Sequence, residues 1–570
     1  MTLPQSTPAA DTRTGPSRRP RAQAAQARDH FRDPGHTTSQ RQYAQEHGLP
    51  RSTLGHWLRQ DPPDGLDPDL AAFLGGASGE RFLRRLVLAL LLVFHHENAC
   101  GLRPVGRFLR LTQLDRFVAS SYGALYGLAV HLQADLPTFG DQERDRLAPG
   151  MAPRDIAVCG DEHFHATQPC LVAIEPVSDF ILVEVYRPQR DADTWTQVLH
   201  EGLRGLPLRV VLLCSDRAKG LLACARDGLQ VHHSPDLLHA QRDLLRPLLL
   251  PLARQTAQAD KDRQEAQALA QYWRDQQAQD AARPSRPGRR PDYAGRIRGN
   301  ECREQRARQQ VERGQARQQQ VVEAVRGLAD DAHPFDPQSG QRLQAEAVRE
   351  RLEGRLLQVQ QVAEQAQLGD AAAAGLNKGR SWVTALVGVV AWFWGLVERR
   401  VQALNLPEEA EQAVYGQLLP GLYWQQQARR GRDAEQRRQR RALAEGLLRA
   451  AWAEGGALAA LPQEQRHELT RQARQVVGLF ARSSSCVEGR NGRLSLQHHG
   501  HGPLSAARLK AQTVIHNYFT ERPDGTTAAQ RFFGQKPRDL FSWLLERLPD
   551  LPQPAARRPR PALQTVAEVA

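Results

Sequence analysis

The sequence predicts a mixed α/β protein in which a small mixed sheet is interrupted by a large all-helical insertion and preceded by an all-helical region. Three observations predict this. Residues 154–233 carry short β-rich runs, among them LRVVLLC at Leu208–Cys214, and an unbroken apolar run of that length marks a central strand covered on both faces. Residues 246–480 lose every strand signal and become rich in Gln, Arg, Ala and Glu, with apolar side chains at helical spacing such as Val348, Leu352, Leu356, Val359 and Val362. Residues 37–60 read as two short helices around a glycine.

Composition sets the bounds. The 570 residues are 41% hydrophobic and 24% charged, which excludes wholesale disorder. Lys and Arg outnumber Asp and Glu by 76 to 63, a net charge of +13. An excess of that size fits a polyanion such as nucleic acid. Nearly all of it is arginine, a planar donor matched to phosphate. The seven cysteines are scattered with no CxxC spacing, so a reducing, cytoplasmic setting is expected. The opening MTLP turns polar and Arg-rich, unlike a signal peptide. Ser381–Val397 is uncharged over 17 residues, at the short limit for a membrane span. Its mixed-charge flanks favour a buried helix, so no membrane is expected.

Residues 1–36, rich in Pro, Ala, Gln and Arg with a basic cluster at Arg18-Arg19-Pro20-Arg21, are expected to be a disordered basic arm. Residues 37–148 are expected to form a helix-turn-helix and helical DNA-binding region. Ser39 can cap a helix that Gly48 ends, and Pro50 can open the next. Tyr43, Ala44, Leu49, Leu54 and Trp57 supply the apolar contacts. Arg51, Ser52 and Thr53 then stand at the start of the second helix, where base and phosphate contacts are made. The structural alternative is a plain helical hairpin.

In residues 149–245 the period changes. Asp155–Cys159, Pro169–Ile174 and Phe180–Tyr186 read as strands, Thr194–Leu203 as a helix, Leu208–Cys214 as a strand, Lys219–Asp227 as a helix and Leu229–His233 as a last strand. The all-helical insertion 246–480 has breaks at Ala282–Asn300, a Pro/Gly/Arg-rich basic loop, and at Ala332–Gly340. Residues 481–546 return to globular character, with a His/Gly loop at His498, His499 and His501, and residues 547–570 read as a frayed tail.

The chemistry centres on carboxylates. Asp161 follows the first strand in CGDEHF and Asp216 ends the buried strand in LLCSDRAKG. Strand ends are where α/β sheets place their ligands. With the first and fourth strands adjacent, the two aspartates would lie side by side, and both stay ionised only with a cation between them. Hard oxygen donors select Mg²⁺ or Mn²⁺. A third carboxylate from a later helix would complete a two-metal site able to activate water or a 3′-hydroxyl at a phosphodiester. Taken singly, each Asp could equally be a turn or cap residue. On a strand Glu162 points opposite to Asp161, so only one of them can serve. Neither GxxxxGK[ST] nor HExxH occurs.

Three strands, a helix and a strand, with Asp at the ends of the first and fourth, resemble the RNase H-like core of DDE transposases and retroviral integrases. GDEHF and LLCSDRAKG resemble the segments of that family's two Asp residues, and Ser485-Cys486-Val487-Glu488-Gly489-Arg490-Asn491 resembles the segment of its final Glu. The long helical insertion resembles that of the hAT-like branch, as does Asp236-Leu237-Leu238-His239 its C/DxxH element. IHNYFTERPDGTTAAQRFFG is similar to the integrase-type tail.

The resemblance implies a transposase that nicks DNA and transfers strands, with Asp161, Asp216 and Glu488 as catalytic residues holding two Mg²⁺ (or Mn²⁺) ions. Arg490 and Arg493, on the helix of Glu488, join Arg51, Ser52 and Thr53 as DNA contacts, and His239 would hold a phosphate or orient a catalytic group. The implied partners are the element's own DNA ends, target DNA and further copies of the chain, with no small-molecule substrate, in a cytoplasmic, nucleoid-associated setting. The alternative is a catalytically inactive, transposase-derived DNA-binding protein. A coiled-coil structural protein built on residues 245–480 is disfavoured by the strands.

Overall fold

The computed structural model describes residues 21–58, 66–165, 167–283 and 288–554. The chain divides into two compact units, residues 1–149 with 493–570, and residues 150–492. Residues 493–546, expected to complete the sheet domain, therefore group with the N-terminal helices.

The first unit is helical. It holds α1 (Arg21–Arg32), α2 (Gln40–Glu46), α3 (Arg51–Leu58), α4 (Pro68–Gly75), α5 (Ala77–Ala89), α6 (Leu102–Leu111) and α7 (Tyr122–Leu147), joined by the chain's last helices. α1 corrects the expected disordered arm. Residues 1–20, with Arg18 and Arg19, lie outside the described residues, but residues 21–32 are helical and bury Ala24, Ala25 and Ala27. Alanine is the best helix former, and its small side chain lets backbones approach closely without raising the hydropathy that a disorder reading relies on. Asp29 of α1 accepts from Ala77 N at 2.7 Å, and Arg28 donates to Gly75 O at 3.0 Å.

α2 and α3 form the expected pair of helices. Ser39 Oγ accepts from Gln42 N. Gly48 takes a left-handed φ of 58°, and Leu49 N donates to Ala44 O at 2.8 Å, the six-residue closure that ends a helix at glycine. Ala27, Tyr43, Ala44, Leu49 and Leu54 make the core of this three-helix group, with Phe31 and Trp57 against it.

In the second unit β1 (Arg154–His165), β2 (Gln168–Glu175), β3 (Phe180–Tyr186), β4 (Leu208–Ser215) and β5 (His232–Pro235) form one mixed sheet in the order β3-β2-β1-β4-β5. β1–β2 and β2–β3 pair antiparallel, while β1–β4 and β4–β5 pair parallel. The parallel partners need crossovers, and α8 (Ala192–Leu203) and α9 (Lys219–Ala223) lie in them. The last strand starts at His232 rather than at the expected Leu229.

The insertion holds α10 (Leu237–Ala281), α11 (Tyr293–Asp331), α12 (Ala345–Gln365), α13 (Asp370–Gln402), α14 (Glu408–Ala413), α15 (Leu419–Ala428), α16 (Ala434–Ala451) and α17 (Gln463–Gly478). The basic loop is shorter than expected, because α11 already begins at Tyr293; within the loop, residues 284–287 lie outside the described residues. The break after Ala332 is real and is closed by an isolated Phe335–Arg342 bridge. By length and composition α13 could cross a membrane. In the fold it buries Val383, Leu386, Val387, Phe393, Trp394 and Val397 in the helical core, also buries Trp382, and turns Ser381, Thr384 and Ala391 outward.

α18 (Ser485–His501) crosses the boundary between the units, and α19 (Ala506–Tyr518), α20 (Ala528–Phe533) and α21 (Leu540–Arg547) follow. The His/Gly loop expected at 498–501 is instead the last turn of α18. The helix carries its glycines because neighbouring intrahelical hydrogen bonds outweigh a cost of about 1 kcal/mol per glycine. The tail expected from 547 still buries Leu548 and Leu551, and residues 555–570 lie outside the described residues.

Candidate functional site

The register of the parallel pair fixes the centre of the site. Cys159 on β1 is the Cα partner of Cys214 on β4. Asp161 and Asp216 each lie two residues further on. β1 runs on to His165 and pairs Asp161 with Val172, so Asp161 lies within the strand rather than after it, while Asp216 follows the end of β4. The two stand beside the inner strands of the sheet, close enough for the charge of one to act on the other. Asp161 is 8% exposed, and its Oδ1 accepts from Glu162 N at 2.8 Å. Burial pushes its carboxyl up to about 7 against the effect of that hydrogen bond; the charges of Asp216 and Glu488 push the same way, and His239 opposes them. Asp216 begins a tight turn, its Oδ1 accepting from Ala218 N at 2.9 Å.

Glu162 serves elsewhere, as the alternation of a strand requires. It accepts from Arg190 Nη1 at 2.5 Å and from Trp195 Nε1 at 3.2 Å.

α10 and α18 bring the remaining groups. His239, one turn into α10, donates from Nδ1 to Asp236 Oδ2 at 2.5 Å. Its Nε2 lies 3.9 Å from Glu488 Oε1. Arg242, one turn on, reaches the same oxygen at 4.0 Å. Asn491 Nδ2 donates to Asp161 Oδ2 at a long 3.5 Å. The hydrogen bond to Asp236 raises the His239 pKa above its ordinary value, helped by the charges of Asp161 and Asp216.

Asp236 is the hub that assigns these positions, and the sequence marks it only as the first residue of the DLLH element. It is fully buried. It caps α10 through Leu238 N and accepts from Ser484 Oγ at 2.8 Å and Ser484 N at 3.2 Å, while its own N donates to Ser215 O at 2.8 Å. One side chain and its backbone thus tie the end of β4, the start of α10 and the start of α18. Burial works against its ionised form, but the His239 and Ser484 hydrogen bonds win and hold its pKa below the usual value.

Asp161, Asp216, Glu488 and His239 are therefore brought together from four separate elements. The donor set is chemically suited to a hard divalent cation: three carboxylates, one of them destabilised as an anion by burial and by its neighbours. As the side chains stand, no group of three or more His, Cys, Asp or Glu among the described residues closes to metal-holding distance.

Two expected DNA contacts fare differently. Arg490 is a correction. Its guanidinium donates to both oxygens of Glu184 on β3, at 2.7 and 2.6 Å, and both side chains are buried. It faces inward because its position on α18 points at the sheet, where it pairs with the buried Glu184. Arg493 is exposed. In the first unit Arg51 and Ser52 are exposed at the start of α3, and Thr53 is half-buried.

Residues 414–560 match the model of a family of unknown function, DUF6399. The matched stretch includes Glu488, but not the two aspartates. No curated protein and no solved structure matches the chain.

Proposed function

We propose that this chain is a transposase of the DDE type with an RNase H-like core, nicking DNA and joining strands with the help of divalent cations. The observation that carries the proposal is the convergence of Asp161, Asp216 and Glu488, with His239, beside the inner strands β1 and β4 of a sheet ordered β3-β2-β1-β4-β5.

Asp161, Asp216 and Glu488 would hold Mg²⁺ or Mn²⁺, which when bound supplies charge stabilisation to the attacking and leaving oxygens of an in-line displacement at phosphorus. The chain's own groups do the rest. Asp236 fixes the orientation of His239 and raises its pKa, favouring the form in which Nε2 donates beside Glu488. Such a donor suits a phosphate oxygen. Arg242 adds a cation on the same side. The exposed start of α3 would read the DNA ends, and a chain acting on two ends at once would work as an oligomer, in the cytoplasm on the nucleoid.

A DNA-binding protein without the reaction is the second reading, and the open spacing of the three carboxylates favours it. Purified protein incubated with Mn²⁺ and end-labelled DNA separates the two. Nicking that disappears in Asp216→Asn while DNA binding persists is the expected result. Nicking at the wild-type rate by Asp216→Asn removes the catalytic assignment.

A further inference from the structure

Beside Glu488 the first two helices of the insertion leave an open cleft of about 430 Å³. Its floor is apolar: Leu238, Leu245 and Leu249, at i, i+7 and i+11 along α10, share one helix face. Its rim is cationic. Arg242 and Arg246 rise one turn apart on α10, and Arg326 faces them from α11. All three arginines are exposed, and Leu238 is 37% exposed. No acidic side chain lines the cleft. Gln241 donates to Val325 O at 2.9 Å and pins the two helices together beneath it, so the cleft has a fixed base. The rim continues into the site, because Arg242 is the residue 4.0 Å from Glu488 Oε1.

We propose that this cleft binds one unpaired nucleotide of the DNA strand being cut, the base against the leucine floor and its phosphate among Arg242, Arg246 and Arg326. The inference rests on the carboxylate site being a DNA strand-cutting centre. The chemistry selects the occupant. An apolar floor alone would take any greasy group, and arginines alone any phosphate. A flat π-face joined to a phosphate satisfies both, and a guanidinium plane also stacks on bases. A base paired and stacked within a duplex has no free face to offer, so the cleft discriminates in favour of a strand opened near the cutting site.

The test uses the full chain, a fluorescent single strand of about ten nucleotides, and a duplex of the same sequence, in EDTA so that no cutting occurs. Arg246→Ala with Arg326→Ala should weaken single-strand binding by about tenfold or more and leave duplex affinity within about twofold. Both arginines are exposed, so the fold should survive, with circular dichroism as the check. An abasic strand should bind wild type as weakly as the intact strand binds the double variant. Wild-type affinity in the double variant overturns the proposal, as does an abasic strand that binds wild type as tightly as the intact one. The two readings can fail separately. Protein that never nicks DNA but shows this pattern keeps the cleft and loses the reaction, and protein that nicks without the pattern keeps the reaction and loses the cleft.

Discussion

Cys159 and Cys214 are Cα partners across the parallel β1–β4 ladder, and each precedes an acidic residue by two positions, Asp161 and Asp216. Cys486 stands in the same relation to Glu488, and its thiol meets that of Cys159. Cys159 and Cys214 are buried and Cys486 is half-buried, and Cys159 meets both where the start of α18 lies against β1. The Cys214 thiol and burial hold Cys159 protonated. Cys159→Leu would overfill this contact and shift the start of α18, which carries Glu488. It should cost about 1–3 kcal/mol of stability and lower any Mn²⁺-dependent nicking more than it lowers DNA binding. Cys159→Ala, which only leaves space, should lower nicking less, and a nicking assay on the two variants side by side checks this.

Asp161 sets a pH dependence. Its carboxyl is raised to about 7 from an ordinary 3.8, so the folded state binds the proton more tightly than the unfolded state does. Stability from this group is therefore full below the unfolded value and declines as pH rises from about 4 to about 7. Asp161→Asn should be more stable than wild type at pH 8 without divalent cations, by on the order of a few kcal/mol at most. Added Mn²⁺ should stabilise wild type and not the variant. Thermal melts at pH 5 and pH 8, with and without Mn²⁺, measure both effects.

Asp236 and His239 act as a pair with opposite signs. The carboxyl is held low, so its contribution is present above its unfolded pKa and lost as pH falls through the folded one; the imidazole is held high, so its contribution is present below its unfolded pKa and lost as pH rises through the folded one. Asp236→Ala leaves Ser484 and His239 without their acceptor and should cost about 3–5 kcal/mol. His239→Gln should cost less, because its side chain is 20% exposed and water can replace it. Urea titrations of the two variants at neutral pH give the ranking.

Arg490 should behave as a structural residue. Arg490→Ala removes the buried ion pair with Glu184 and should destabilise the protein by about 3–5 kcal/mol. Arg490→Met with Glu184→Leu removes both charges and should recover most of that loss. DNA affinity of the folded double variant should match wild type. A tenfold loss of affinity there would return Arg490 to the DNA contacts.

Arg51 should behave as a phosphate contact. Arg51→Ala should weaken DNA binding roughly uniformly across sequences and lower the salt-dependence slope by about 1, with no change in melting temperature because the side chain is exposed.

Local chemistry made much of this legible in the sequence. The LRVVLLC run announced its strand, and Ser39, Gly48 and Pro50 announced the α2–α3 pair, because periodicity and capping act over a few residues. Asp161 and Asp216 were legible as neighbours because each lies two residues beyond one of the paired cysteines of the adjacent strands β1 and β4, although β1 itself runs four residues past Asp161. Other features were decided only by tertiary structure. The alanine face of residues 21–32 shows no hydropathy until a partner backbone comes close. The inward turn of Arg490 depends on Glu184, 306 residues away. The hub at Asp236 depends on Ser484, 248 residues on. A sequence specifies what each residue can bond to; which distant partner it meets is set by how the helices and sheet pack, because a buried charge or hydrogen-bonding group must find its partner wherever the fold delivers one.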